Sequence, residues 1–181
     1  MVSDCIRNFG TLLFYAMKME EARQTHEFGP AYHLDSRIFI LGSFPSVKSR
    51  EIGFYYGHPK NRFWKLLADL YQEDEPDTVA DKKAFLKKHQ IALWDVIESC
   101  DITGSSDSSI RNVKLNDIGR ILKETDIKAI YANGKKAEHL YKKYVEPVTG
   151  REIISLPSTS PANAAFTMER LKDSWKQILS V

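Results

Sequence analysis

Between Gly53 and Trp64 the chain reads Gly-Phe-Tyr-Tyr-Gly-His-Pro-Lys-Asn-Arg-Phe-Trp. Rings, an imidazole and an amide crowd together there beside the start of a helix. Such a set can hold a flat heteroaromatic ring by stacking and read its edge by hydrogen bonds. Phe63 and Trp64 suit a helix face turned to the core. Tyr56, in a loop next to Gly57, is the ring expected to meet a ligand. His58 can donate to a carbonyl or stabilise a leaving group, or it can simply orient the turn. Asn61 is expected to cap the helix. Two further polar segments have similar potential. Gly42-Ser43-Phe44-Pro45-Ser46 follows an apolar run directly, and Leu156 to Asn163 reads Leu-Pro-Ser-Thr-Ser-Pro-Ala-Asn. Hydroxyls and backbone amides of that last segment can grip phosphates, or cap and turn the chain into the final helix. Glu98 to Asn112 holds five serines and a glycine in 15 residues. It reads as a long irregular loop, and such loops inside compact domains are often functional.

These segments need elements to hold them. Ile38–Leu41 and Ile91–Val96 are apolar runs suited to strands buried on both faces. Ile127–Ala132 and Ile153–Leu156 are the third and fourth strands. A helix is expected from Asn61, where Phe63, Leu66, Leu67 and Leu70 share one face. Others are expected over 79–89, around Leu115 to Leu122, over Gly134–Tyr144, and over Ala164–Leu179, with Met168, Leu171, Trp175 and Ile178 inward. Strands alternating with helices predict an α/β three-layer sandwich with a central, mostly parallel sheet of about four strands. In such sheets the binding crevice lies outside the carboxyl ends of the strands. The loops after Leu41, Val96 and Leu156 should therefore meet in one place.

With 181 residues, 43% hydrophobic and 28% charged, the chain suits one soluble globular domain and excludes disorder, repeats and fibres. A formal net charge of +2 permits a nucleic-acid partner only if the basic residues gather on one face. Cys5 and Cys100 lack metal-ligand spacing, so no metal and no cofactor is expected. They suit free thiols in a reducing cytosol, hence a cytoplasmic protein. The apolar run Thr11–Met17 is shorter than the ~20 residues of a membrane span and lacks signal-peptide flanks. Residues 1–24 read as an appended segment holding a short helix, and 25–181 as the functional domain.

The pattern Gly-Phe-aromatic-aromatic-small-His-Pro-x-Asn-Arg-Phe-Trp, soon after a Gly-x-x-Pro loop, resembles mismatch-specific uracil-DNA glycosylases. The pairing of Gly-Ser-Phe-Pro-Ser with Pro-Ser-Thr-Ser-Pro-Ala-Asn is similar to the hypoxanthine-DNA (deoxyinosine) glycosylase branch of the uracil-DNA glycosylase superfamily. The resemblance covers about Ser36 to Leu179. It implies a monofunctional DNA-repair glycosylase that flips a deaminated nucleotide and hydrolyses its N-glycosidic bond. Hypoxanthine is the favoured base, with uracil and xanthine as alternatives. The partner implied is DNA containing deaminated bases, with no membrane, and the chain is expected to be a monomer. Gly42, Ser43, Phe44 and Tyr56 would form the base pocket. Ser46, Lys48, Arg111, Ser158, Thr159, Ser160, Pro161 and Asn163 would contact DNA, as would Arg50, Lys60, Arg62 and Lys114.

The sequence departs from the family in its first motif, where Gly42 to Ser46 carries neither Asp nor Asn to position water. The resemblance then points to Asn112 as the catalytic amide, with His58 assisting. Asp101 and Asp107 are rival bases, and a helix cap is the plainer role for Asn112. Two other functions stay open: a catalytically weak binder of DNA lesions or abasic sites, and a hydrolase of free nucleosides.

Overall fold

The computed structural model describes residues 23–181. The run Thr11–Met17 and its expected helix lie outside the described residues. The described strands are β1 (Arg23–Thr25), β2 (Ile38–Gly42), β3 (Ile91–Asp95), β4 (Ile97–Asp101), β5 (Arg111–Leu115), β6 (Ala129–Asn133) and β7 (Ile154–Leu156). The described helices are α1 (Val47–Ile52), α2 (Phe63–Tyr71), α3 (Val79–Lys88), α4 (Ile118–Glu124), α5 (Lys135–Tyr144), α6 (Glu146–Thr149) and α7 (Met168–Trp175).

The four apolar runs pair as one parallel sheet in the order β3-β2-β6-β7. Every residue of β2 and β3 is buried, which is why those runs show no polar alternation. The crossovers β2 to β3 and β6 to β7 run in opposite directions across the sheet. Right-handed connections then place α2 and α3 on one face and α5 on the other, and α7 packs against α2. Phe63 and Trp64 lie in the core, as their helical spacing predicts. The chain reverses direction in the sheet beside β2, and the crevice opens there at the carboxyl ends.

The stretch from Glu98 to Asn112 corrects the sequence reading. It is mostly a hairpin, not an irregular loop. β4 pairs antiparallel with β5 on one side and with β1 on the other, giving a second sheet in the order β1-β4-β5. Its serines hid strands whose backbone groups pair with distant segments, and two register irregularities between β4 and β5 blur the alternation further. Only the connection from Ile102 to Ile110 stays irregular, with one 3₁₀ turn at Asp107–Ser109. Arg23 and Gln24, read as the end of an extension, belong to β1 and are paired in this sheet.

Val96 alone separates the two sheets. Its N–H donates to the Gly42 carbonyl at 2.9 Å, and the Ile97 N–H donates to the Ser43 carbonyl at 3.1 Å. Asn116 Nδ2 ties the switch by donating to the carbonyls of Asp95 and Ile97 at 2.8 and 3.1 Å. Two helix limits also differ from expectation. α1 forms behind the Ser46 cap and ends on Gly53 at φ 70°, a left-handed conformation that glycine adopts without strain. The final helix begins at Met168 behind the Thr167 cap, not at Ala164.

Candidate active site

The cleft at the carboxyl ends of the parallel sheet has a volume of about 370 Å³, the size of a small-molecule site. Gly42 to Ser46 follow β2, Asp95 ends β3, Asn133 ends β6, and Ser158 to Ala162 follow β7; all of them line it. Tyr55, Tyr56, His58 and Asn61 enter from the segment before α2, and Ser105 and Asp107 from the connection between β4 and β5. The parallel sheet thus gathers the predicted loops in one cleft.

Its best-defined polar group is the Asn61 amide. The Phe63 N–H donates to Asn61 Oδ1 at 3.0 Å, a turn contact that leads into α2; the cap itself is Arg62, not Asn61 as expected, and no side chain caps the helix. Thr159 Oγ1 also donates to Oδ1, at 2.9 Å. Thr159 can spend its proton there because its own oxygen accepts from Asn133 Nδ2 at 2.9 Å. The loop N–H of Thr159 donates back to Asn133 Oδ1 at 2.9 Å. With Oδ1 taken by two donors, Asn61 Nδ2 remains, without a partner among the described residues, as a donor for a ligand. Thr159 is 0% exposed, so it orients Asn61 from inside the protein and its side chain is not a phosphate contact.

Arg62 anchors the same loop. Its backbone N–H and Nε donate to the Thr159 carbonyl at 3.2 and 3.3 Å, and Nη2 donates to those of Ser160 and Asn163 at 2.8 and 3.1 Å. Nη1 donates to the Phe166 carbonyl. A guanidinium filled by carbonyls has little left for phosphate, so the expected DNA contact at Arg62 is instead a clamp.

Tyr56 lines the cleft at φ 53°, a conformation unfavourable for a bulky residue and common where a site constrains the chain. Its ring stacks on Phe63 with centroids 3.9 Å apart. Burial, with the Asp95 charge adding to it, raises the Tyr56 phenol far above its ordinary value and keeps it protonated. His58 lies in the cleft wall with Nδ1 accepting from the Lys60 N–H at 3.1 Å. Phe44 is a buried wall residue, and Ser43 Oγ donates to Asp107 Oδ1 at 2.7 Å. Desolvation raises the Asp107 carboxyl above its ordinary value, while the Ser43 bond works the other way.

Asn112 stands elsewhere. It lies on β5, exposed, at φ 49°, and its side chain donates to Asp101. It does not line the cleft, and the cap of α4 is Asp117, not Asn112. The hairpin that replaces the expected loop carries it away. Arg111 is also exposed on β5, and Lys48 is exposed and paired with Glu51 at 2.6 Å. Ser46 lines the cleft and caps α1. Ser158, Ser160 and Pro161 form its rim, while Asn163 turns inward and donates to the Ser158 carbonyl at 2.9 Å.

Sequence reasoning missed Asp95, His26 and Asn133. Asp95 and Asn133 close strands and read as strand punctuation, and His26 follows β1 in a stretch that reads as loop. His26 Nε2 lies 2.8 Å from Asp95 Oδ2, with both side chains almost wholly buried. Only the position of Asp95 and Asn133 at carboxyl ends of predicted strands marked them for a site.

Known proteins match this architecture. The chain is 37% identical over 147 residues to a hypoxanthine DNA glycosylase of Methanosarcina acetivorans, a match covering 80% of this chain and 90% of that protein. It is 33% identical over 156 residues to a hypoxanthine DNA glycosylase of Methanosarcina barkeri, covering 83% and 94%. A solution NMR structure of a provisionally assigned uracil DNA glycosylase from Methanosarcina acetivorans superposes with a TM-score of 0.71 at 30% identity, covering 84% of this chain and 96% of that one. The family model for the uracil DNA glycosylase superfamily matches residues 30–179. That span contains both sequence motifs, the whole parallel sheet and every cleft-lining residue named above, and the chain belongs to the uracil DNA glycosylase superfamily.

Proposed function

We propose that this protein is a monofunctional DNA glycosylase that removes deaminated bases, hypoxanthine first among them. The observation that carries this reading is the Asn61 amide, fixed by Thr159 and Phe63 with its donor end left to the cleft. Cleavage of a base–deoxyribose bond builds positive charge on the sugar and negative charge on the departing base. A donor already aimed at that base stabilises the charge without reorganising. We therefore assign the assistance to Asn61 rather than Asn112. Tyr56 and Phe44 wall the base, and His58 stands at the cleft wall as a second donor. No lysine lines the cleft among the described residues, which favours attack by water over a Schiff base.

Pro161 and Ala162 are exposed at the rim, suited to fill the space a flipped nucleotide leaves. The two relatives named as hypoxanthine DNA glycosylases support hypoxanthine as the base. We further propose that the chain acts as a cytoplasmic monomer, the oligomeric part of which size-exclusion chromatography with light scattering will check. Among the described residues no helix is long and apolar enough to cross a membrane.

The test is a set of duplex oligonucleotides, each with one hypoxanthine, uracil or xanthine, incubated with excess protein and then treated with alkali. Strand breaks at hypoxanthine, absent without alkali, are expected. Intact strands with all three bases would sink the proposal.

A further inference from the structure

Hydrolysis consumes a water, and that water must stand at the sugar carbon as the base departs. Two carboxylates line the cleft among the described residues, Asp95 and Asp107. Asp95 is 4% exposed, and its Oδ2 lies 2.8 Å from the almost wholly buried His26 side chain. Asp107 differs on both counts. It reaches solvent as well as the cleft. Ser43 Oγ donates to its Oδ1 at 2.7 Å, and Oδ2 accepts from no group among the described residues. An ionised carboxylate oxygen only accepts, so Oδ2 suits a water that donates to it.

Asp107 opens the 3₁₀ turn of the connection between β4 and β5. Ser105 of the same connection accepts at Oγ from the Val47 N–H of α1 at 3.0 Å. Together with the Ser43 bond, this pins the connection at two points to the segment that follows β2. Asp107 also lines a second cavity, of about 560 Å³, whose wall includes Lys135, Pro157, Asn163 and Phe166. The two cavities share Asp107, Ser158, Ser160 and Ala162. A base that fills the cleft therefore leaves the second cavity as a source of water for Asp107.

We infer that Asp107, held by Ser43, is the catalytic residue that positions and deprotonates the attacking water. The inference rests on the glycosylase reading. As the bond between the base and C1′ breaks, its electron pair leaves with the base, toward Asn61 Nδ2. The water oxygen bonds to C1′, and one of its protons passes to Asp107 Oδ2. The carboxyl then returns that proton to solvent, and the departed base takes one up. Desolvation makes Asp107 a stronger base than an ordinary aspartate. The Ser43 bond and the charge of Lys136 on α5 oppose that shift, and the charge of Asp95 at the end of β3 adds to it.

The experiment measures single-turnover release of hypoxanthine from a duplex by the full chain, between about pH 4 and 8. In Asp107→Asn the amide oxygen still accepts from Ser43, so duplex binding should persist while release falls at least about 100-fold. Release by the unaltered protein should rise with pH through an inflection above 3.8, and that inflection should vanish in Asp107→Asn. Asp107→Ala leaves the water unheld. Added azide, a nucleophile with no proton to lose, should restore release in that variant and leave a C1′ azide in the product. Asp107→Asn release within about twofold of the unaltered protein overturns the inference alone. So does an Asp107→Ala protein that binds the duplex but is not rescued by azide, which marks a merely structural role. If neither variant folds, the unaltered protein still decides, because a flat pH profile overturns the inference. Failure of the unaltered protein to release any deaminated base overturns the glycosylase reading and this inference together.

Discussion

At Asn61 a single amide meets two demands. Its oxygen closes the turn that leads into α2 and accepts from Thr159, while its nitrogen stays available to the cleft. Asn61→Asp keeps the shape and both acceptor bonds but loses the donor. Removing one transition-state donor slows catalysis by about 100- to 1000-fold. Excision under single turnover should fall by that much, with little change in melting temperature. Asn112→Ala is the control. Its side chain is exposed and bonded to Asp101, so excision should stay within about twofold. A loss as large as at position 61 would move the chemistry out of the cleft. The turn contact of Asn61 was legible only in part: Phe63 is two residues away, but the cap expected at Asn61 falls on Arg62. The orienting contact was not, because Thr159 lies 98 residues away.

At the scale of elements, Arg62 fastens the loop after β7 to the start of α2. Four loop carbonyls converge on it. In Arg62→Ala these acceptors lose a charged donor, which costs about 2–3 kcal/mol. Melting should shift down accordingly, and amide hydrogen exchange should speed up over 158–166. Excision should also fall, because Thr159 would no longer aim Asn61. Arg62→Lys should rescue little, since one ammonium cannot replace a fork of donors. Unchanged exchange in that loop would show that the clamp does not hold it. A second element-level prediction concerns Gly42. Gly42→Ala drives a methyl into Asp95 Oδ1, and such overpacking costs about 1–3 kcal/mol. The check is chemical denaturation of the variant beside the unaltered protein.

Across the whole molecule, half-buried carboxylates hold lysines within and between helices. Asp69 of α2 pairs with Lys172 of α7 at 2.7 Å and with Lys65 at 3.1 Å. Hydrogen bonds from Lys172 first, and then Lys65, hold its carboxyl below the ordinary value of 3.8. Glu138 pairs with Lys135 and Lys142 within α5. Those two lysines, Lys135 first, lower its carboxyl from 4.5 to about 2. A depressed carboxylate contributes stability above its unfolded pKa, and that contribution is lost as pH falls through the folded value. Melting temperature should thus decline as pH drops below the unfolded value of 4.5 toward 2. Glu138→Gln should flatten that decline while costing less than about 1 kcal/mol at neutral pH, because the pairs are solvent-screened. A variant whose acid-side slope matches the unaltered protein would remove Glu138 from the linkage.

What the sequence determined by itself was local: apolar runs long enough for buried strands, helices with a marked face, and a motif-bearing loop crowded with rings. Chain order added that three polar loops follow strands at one end of a parallel sheet. Tertiary structure decided the rest. The serine-rich stretch became a hairpin only because β1 and β5 supply partners for β4. His26 reaches Asp95 across 69 residues, and Arg62 gathers carbonyls from 97 to 104 residues away. Periodicity reports which face a segment buries, but it does not say what that face meets. The identity of a polar partner, and therefore which amide or carboxylate is left free to act, is set only when distant segments are packed together.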